Sequence, residues 1–199
     1  VILFDHLRRC GGQTVCHHLK KLHPNYFQLD PANPNRSIRQ FAEMPEAERH
    51  SFSLVCGQNA ITLRNWAHPS LVPMTVIREP VARVLSLYRD VRTNRQDRAH
   101  LLAKAYSVRW CVENVAGFAG YYVKHFRPAK YRFVFTSPEA LLRVCGFQGE
   151  IGRAGESDPF EFDAGEVDAV RAANAQDVEI WDRISAAAKL GMASVRGLS

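Results

Sequence analysis

Two stretches of the chain combine residue types that bind anions. The first is His6-Leu7-Arg8-Arg9-Cys10-Gly11-Gly12-Gln13-Thr14, placed where the apolar run Val1 to Phe4 ends and a helical pattern begins. Adjacent glycines let the backbone approach an anion closely, amides at a helix start point towards it, Thr14 adds a hydroxyl, and Arg8 or Arg9 adds charge. The G-x-x-x-x-G-K-[ST] spacing is absent, which excludes a Walker A loop. A tight turn with two solvated arginines is the plainer alternative. The second stretch is Thr75-Val76-Ile77-Arg78-Glu79-Pro80-Val81-Ala82-Arg83-Val84-Leu85-Ser86-Leu87-Tyr88. Arg78 falls at the end of a strand-like run and Ser86 about two helical turns later, so both can reach one phosphate from the sheet's carboxyl edge. Here the alternative is an ordinary strand-to-helix turn with an exposed Arg and Ser.

Together these segments resemble the sulfotransferases that use 3′-phosphoadenosine 5′-phosphosulfate (PAPS), in particular the branch with carbohydrate and heparan-type enzymes. That family's first loop commonly reads H-I-P-K-T-G-G-T-[ST] and its second motif R-[DE]-P-x-x-R-x-x-S-x-Y, which Arg78, Glu79, Pro80, Arg83, Ser86 and Tyr88 match throughout. Tyr131 to Thr136 looks like the family's later strand, and Asn174 to Trp181 resembles its C-terminal N-x-x-D-x-x-[LI]-[YW] helix. The resemblance implies a P-loop-like three-layer α/β fold, with a central, mainly parallel sheet flanked by helices. It also implies a 5′-phosphosulfate site at Arg8, Arg9, Cys10, Gly11, Gly12, Gln13 and Thr14, and a 3′-phosphate site at Arg78 and Ser86. PAPS would be the donor and 3′-phosphoadenosine 5′-phosphate (PAP) the product.

Two positions depart from the family pattern. Its lysine, which stabilises the bridging oxygen as sulfate leaves, aligns with Arg9; a guanidinium keeps the charge but is a poor proton donor. Val55-Cys56-Gly57-Gln58 resembles a region where several relatives carry a catalytic histidine, and Gln58 cannot act as a base near neutral pH. His6, His17, His18, His68 and Glu79 are the possible substitutes. His6 lies near the first loop and Glu79 beside Arg78, which makes these two the catalytic candidates alongside Arg9, although each could instead orient a loop or pair with an arginine.

Other chemistry finds less support. His17 and His18 point in different directions on a helix, and no cluster calls for a metal. Arg89, Arg92, Arg95 and Arg98 could attract an acidic acceptor, but the interleaved Asp90 and Asp97 fit a solvated face. Helix-start amides could lower the Cys10 thiol pKa, but residue 16 is Cys16, so the C-x-x-x-x-x-R cradle of a cysteine phosphatase is missing. No nucleic-acid module is recognisable.

The elements that must position these residues read as alternating strands and helices. Strands are expected at Val1 to Phe4, Ser53 to Cys56, Met74 to Ile77 and Tyr131 to Phe135, and helices at Thr14 to Leu22, from Pro80 to Val91, across about 101–123, and across 165–189. That order predicts an α/β sheet covered on both faces. At 199 residues and 46% hydrophobic content a single domain over 1–199 is expected, with no repeat or long linker. The net charge of +6 suits anionic ligands. Five cysteines without a C-x-x-C pair argue against a disulfide framework. No apolar run is long enough to span a bilayer. A cytoplasmic, bacterial-type location is expected, with a lumenal catalytic fragment as the alternative because the chain opens without methionine.

The function these readings imply is sulfuryl transfer from PAPS to a hydroxyl of a carbohydrate or small-molecule acceptor. A PAPS- or PAP-binding pseudoenzyme is the alternative motivated by Arg9 and Gln58, and another P-loop-like nucleotide transferase or kinase is a third.

Overall fold

The structure, a computed structural model, describes residues 1–151 and 160–189. Five strands form one parallel sheet: β1 (Ile2–Asp5), β2 (Tyr26–Gln28), β3 (Leu54–Gly57), β4 (Val72–Val76) and β5 (Phe133–Phe135), in the order β2-β3-β1-β4-β5. Central β1 is in register with both neighbours, Phe4 standing opposite Cys56 on one side and Met74 on the other. Strands covered on both faces need apolar side chains on both, and Ile2-Leu3-Phe4 supplies them. Phe4 points into a core with α1 (Gly12–Leu22) and α8 (Pro138–Val144), touching the cluster of Val15, Leu19, Leu141 and Leu142. Leu3 points the other way, into a core with Val55, Leu29, Phe41 and Leu63. Phe41 comes from α2 (Pro34–Glu43), and Leu63 from a 3-10 turn at Ala60–Asn65. The three layers anticipated from the sequence are therefore present.

Chain order reverses at β1. β2 and β3 lie to one side of it and β4 and β5 to the other, so the connections leaving β1 and β4 diverge and open a crevice above the carboxyl ends of those strands. The helix after β4, α4 (Pro80–Thr93), buries Val81, Val84, Tyr88 and Val91 of the stripe expected at spacings of three and four, while Leu85 of that stripe is only half-buried and Leu87 is buried as well.

The boundaries differ from expectation in five places. Tyr26–Gln28 is an edge strand of three residues, too short to show an alternating pattern. The turn with two prolines starts a helix, since Asn33 accepts a hydrogen bond from the Arg36 amide (3.4 Å) and Pro34 occupies the first helical turn. The helical stretch expected at 101–123 is three short helices, α5 (His100–Ala105), α6 (Val108–Asn114) and α7 (Tyr121–His125). Ser107 caps the second of these, accepting from the Trp110 amide, and Gly120 turns into the third at φ 63°. The stretch at 165–189 likewise divides at Asn174, into α9 (Ala164–Ala173) and α10 (Ala175–Lys189). A further short helix, α3 (Glu46–Ser51), precedes β3. No helix among the described residues is long and apolar enough to cross a membrane.

Candidate functional site

β1 ends at Asp5, and the His6 amide still donates to Gly57 O (2.9 Å), which holds the following loop against the end of β3. The chain then turns through two left-handed residues, Arg9 (φ 65°) and Gly11 (φ 79°), before α1 begins at Gly12. Space as well as conformation demands the two glycines. A Cβ on Gly11 would come within 2.6 Å of Pro138 Cγ, and one on Gly12 would overlap the His6 ring. Gly11 offers no side-chain cap to α1 and no acidic residue lies in the helix's first turn, so the positive end of the helix is uncompensated by its own residues. That is the local condition for holding an anion.

Arg9 crosses from this loop to α4. Its Nε and Nη2 donate to Ser86 Oγ at 3.1 and 3.0 Å, and its Nη1 lies 3.0 Å from Asp90 Oδ1. Arg8 pairs with Asp97 at 2.6 Å and lies 3.9 Å from the same Asp90. Both cations border the crevice, Arg9 reaching Ser86 and Arg8 tying the loop to the turn after α4.

The β4 loop is built conventionally. Glu79 caps α4, its Oε2 accepting from the Ala82 amide at 2.6 Å, and Pro80 occupies the first helical turn. The Glu79 carboxylate is committed to its own helix. Arg78 stands exposed at the mouth, while Ser86 is buried on the α4 face beneath it. Arg83, the other motif arginine, is fully buried with its guanidinium 4.4 Å from the centre of the Tyr121 ring, and it does not line the crevice.

Tyr122, fully buried, joins the two loops. Its hydroxyl donates to Arg78 O (2.6 Å), accepts from the Arg78 amide (2.8 Å) and lies 3.3 Å from Cys10 Sγ. The start of α7 is held in turn from α10: Asp177 accepts from the Tyr122 and Val123 amides, each at 3.0 Å, and Asn174 accepts from the Gly120 amide at 3.2 Å. Asp177 and Asn174 are the polar residues of the C-terminal stretch singled out from the sequence, and they serve here as caps that fix α7. Nothing in the pattern around Tyr122 announced its role, because the contact depends on how α7 packs across β4.

The loops enclose an open cleft of about 1110 Å³. His6, Arg8, Arg9, Cys10, Gly11, Gly12, Gln13 and Thr14 line it on one side, Arg78 and Ser86 on the other, with Gln58 also in the wall. Every anion-binding residue expected from the sequence is therefore brought to one cavity. Arg89 of the basic run and its neighbour Asp90 line it as well, as do Thr136 and Glu139, to which the sequence reading gave no role.

The base candidates fare differently. His6 is pushed down to about 4, first by burial and then by the charge of Arg9, and is neutral at pH 7. Burial raises the Cys10 thiol, the reverse of the lowering expected at a helix start. His18 packs on Phe147, with ring centroids 4.4 Å apart, and His68 bonds Ser70 and packs on His50, so neither lines the cleft. Within the basic run, Arg89 donates to Phe160 O and Arg92 to Ala103 O, so these two guanidiniums are used within the fold. Among the described residues no group of three or more His, Cys, Asp or Glu could hold a metal ion.

Residues 1–133, from β1 to the first residue of β5 and including both anion loops, match the model of the sulfotransferase family. The chain belongs to that family. Comparison with curated proteins and with solved structures found no match. The two loops, Gln58 and Tyr122 fall within the matched region of this sulfotransferase, and Asn174 and Asp177 fall beyond it.

Proposed function

We propose that the cleft binds PAPS and that the protein transfers its sulfuryl group to a hydroxyl of a carbohydrate or small-molecule acceptor. The observation that supports this reading is the contact from Arg9 to Ser86, across which the loop after β1 and the motif after β4 line the two sides of one cavity. The residues present fit the donor. An uncapped helix start meets two glycines whose missing side chains leave the backbone bare, and Arg78 and Ser86 lie across the gap.

When bound, PAPS supplies an activated sulfuryl group on a phosphate leaving group. The amides of Gly12 to Thr14 hold the 5′ end, and Arg78 and Ser86 hold the 3′-phosphate. Arg9 places positive charge where the leaving phosphate gains negative charge, and no covalent enzyme intermediate is required. Arg9 reaches both sites, so it orients the donor as well as stabilising charge.

Calorimetric titration with PAP, AMP and ATP at fixed salt tests this. A charge-assisted contact is worth about 1.5–3 kcal/mol, so PAP should bind roughly 10- to 100-fold more tightly than AMP. Arg78→Ala should remove most of that preference. Equal affinities for PAP and AMP in the wild type would remove the 3′-phosphate site and the sulfotransfer reading with it.

A second reading, a PAP-binding protein without turnover, is favoured by one set of facts: Gln58 stands in the cleft wall, Glu79 is used as a cap, and His6 titrates at about 4. PAP binding without acceptor-dependent sulfate transfer would select it.

A further inference from the structure

With the large cleft read as the nucleotide site, we propose that the acceptor enters by a second, smaller cleft beside α1 and that His17 takes the proton from its hydroxyl. This side cleft measures about 160 Å³, room for roughly five waters at about 30 Å³ each. It shares His6, Gln13, Pro31 and Gln58 with the large cleft, so the two run together at the phosphosulfate loop.

One wall is a single face of α1. Gln13, His17 and Lys20 are spaced by four and three residues and lie above one another along the helix. His17 is exposed and stands one turn beyond Gln13, about 6 Å along the axis. The facing wall comes from the end of β2 and the segment after β3, and its polar side chains are the neutral amides of Gln28 and Gln58. Lys20 Nζ donates to Gln28 Oε1 at 2.9 Å and, among the described residues, has no carboxylate within 4.0 Å. A lysine facing amides, in a cleft that no acid among the described residues lines, suits a hydroxylated acceptor carrying an acidic substituent.

Among the described residues, the other groups able to take a proton are engaged within the fold or lie outside the side cleft. Glu79 caps α4, and Asp90 pairs with Arg9. Glu139 lines the large cleft but not the side cleft, and Gln58 has no basic atom. The His6 ring is wedged beneath the loop against Gly12. An imidazole changes charge between about pH 5 and 8, the range in which a base must act. The titratable groups around His17 are His6 from the β1–α1 loop and Cys16, His18, Lys20 and Lys21 on α1, while the facing wall contributes none. In the transfer, the acceptor oxygen forms the new O–S bond and its proton passes to a ring nitrogen of His17. The electron pair of the broken S–O bond stays on the 5′-phosphate oxygen, and PAP departs.

The test measures sulfate transfer from PAPS to p-nitrophenyl β-D-glucuronide and the matching glucoside by mass spectrometry, with PAP affinity determined by calorimetry on each variant. His17→Gln should lower kcat about 100-fold and abolish the acidic limb of the pH–rate profile, while PAP affinity stays within about twofold. Lys20→Gln should erase the preference for the glucuronide, a change of about 10-fold for one charged contact. Retention of kcat and of the acidic limb in His17→Gln overturns the assignment, as does a wild type that binds PAP and sulfates neither probe. Both of those outcomes leave the nucleotide site standing. Absence of PAP binding fails the nucleotide reading first and removes this one with it.

Discussion

The loop after β1 and the loop after β4 both carry the chain from a strand's carboxyl end into a helix, and they do it by different means. The first turns through Arg9 and Gly11 at positive φ and leaves the start of α1 without a side-chain cap. The second turns through Glu79 and Pro80, and Glu79 fills the start of α4 with its own carboxylate. Holding Arg9, a non-glycine residue, in the left-handed region costs about 1–3 kcal/mol, a cost the surrounding contacts must offset. On the proposed reading an anion docks on backbone at α1 and is met at α4 by the side chains of Arg78 and Ser86, so that one cleft combines a site built from backbone shape with a site built from side-chain charge.

The sharpest break in this comparison is Gly12→Ala. Alanine normally favours a helix, but here its methyl would overlap the half-buried His6 ring, so the ring or the loop must move. We expect a loss of about 1–3 kcal/mol in stability and a fall of more than about 10-fold in PAP affinity, read by denaturant melts and calorimetry. Adding His6→Ala should restore much of the stability, because the obstacle is the ring. A double variant no better than the single would show that another contact requires the glycine.

A smaller effect is expected where the loops are tied together. Tyr122→Phe leaves the Arg78 amide and carbonyl and the Cys10 thiol without the hydroxyl they share. Removing a buried partner costs about 1–3 kcal/mol. PAP affinity should fall more than AMP affinity, because Arg78 loses its support while the α1 amides keep theirs. Equal losses for both nucleotides would make Tyr122 a general stabiliser and separate the two loops energetically.

The contrast between the loops also explains what the sequence disclosed. Strand runs such as Ile2-Leu3-Phe4 and most of the α4 stripe were legible because each is a local pattern with a fixed period, and the residues of the two motifs that line one cleft stood out by their spacing. Thr136, Glu139 and Tyr122 reach the cleft or its support through packing between segments distant in sequence, and no local period encodes that. His6 and Cys10 were legible as residue types, but their titration was not, since burial and the nearby Arg9 set it. The break at Asn174 was hidden inside a continuous helical pattern. It exists because the Asn174 side chain turns back to Val170 O (2.9 Å) and across to Gly120.

The mildest substitution decides the role of Glu79. In the structure it is a cap, so Glu79→Ala should cost about 0.5–2 kcal/mol of stability. On the proposed reading α1 and not α4 receives the anion on its amides, so PAP affinity should change by less than about twofold, and turnover by little more once the protein is kept folded. Glu79→Asp, which keeps a short acceptor at the cap, should recover most of the lost stability. A loss of turnover of about 100-fold with stability intact would instead identify Glu79 as a base. The α4 start would then be catalytic, and the division between a backbone site at α1 and a side-chain site at α4 would have to be redrawn.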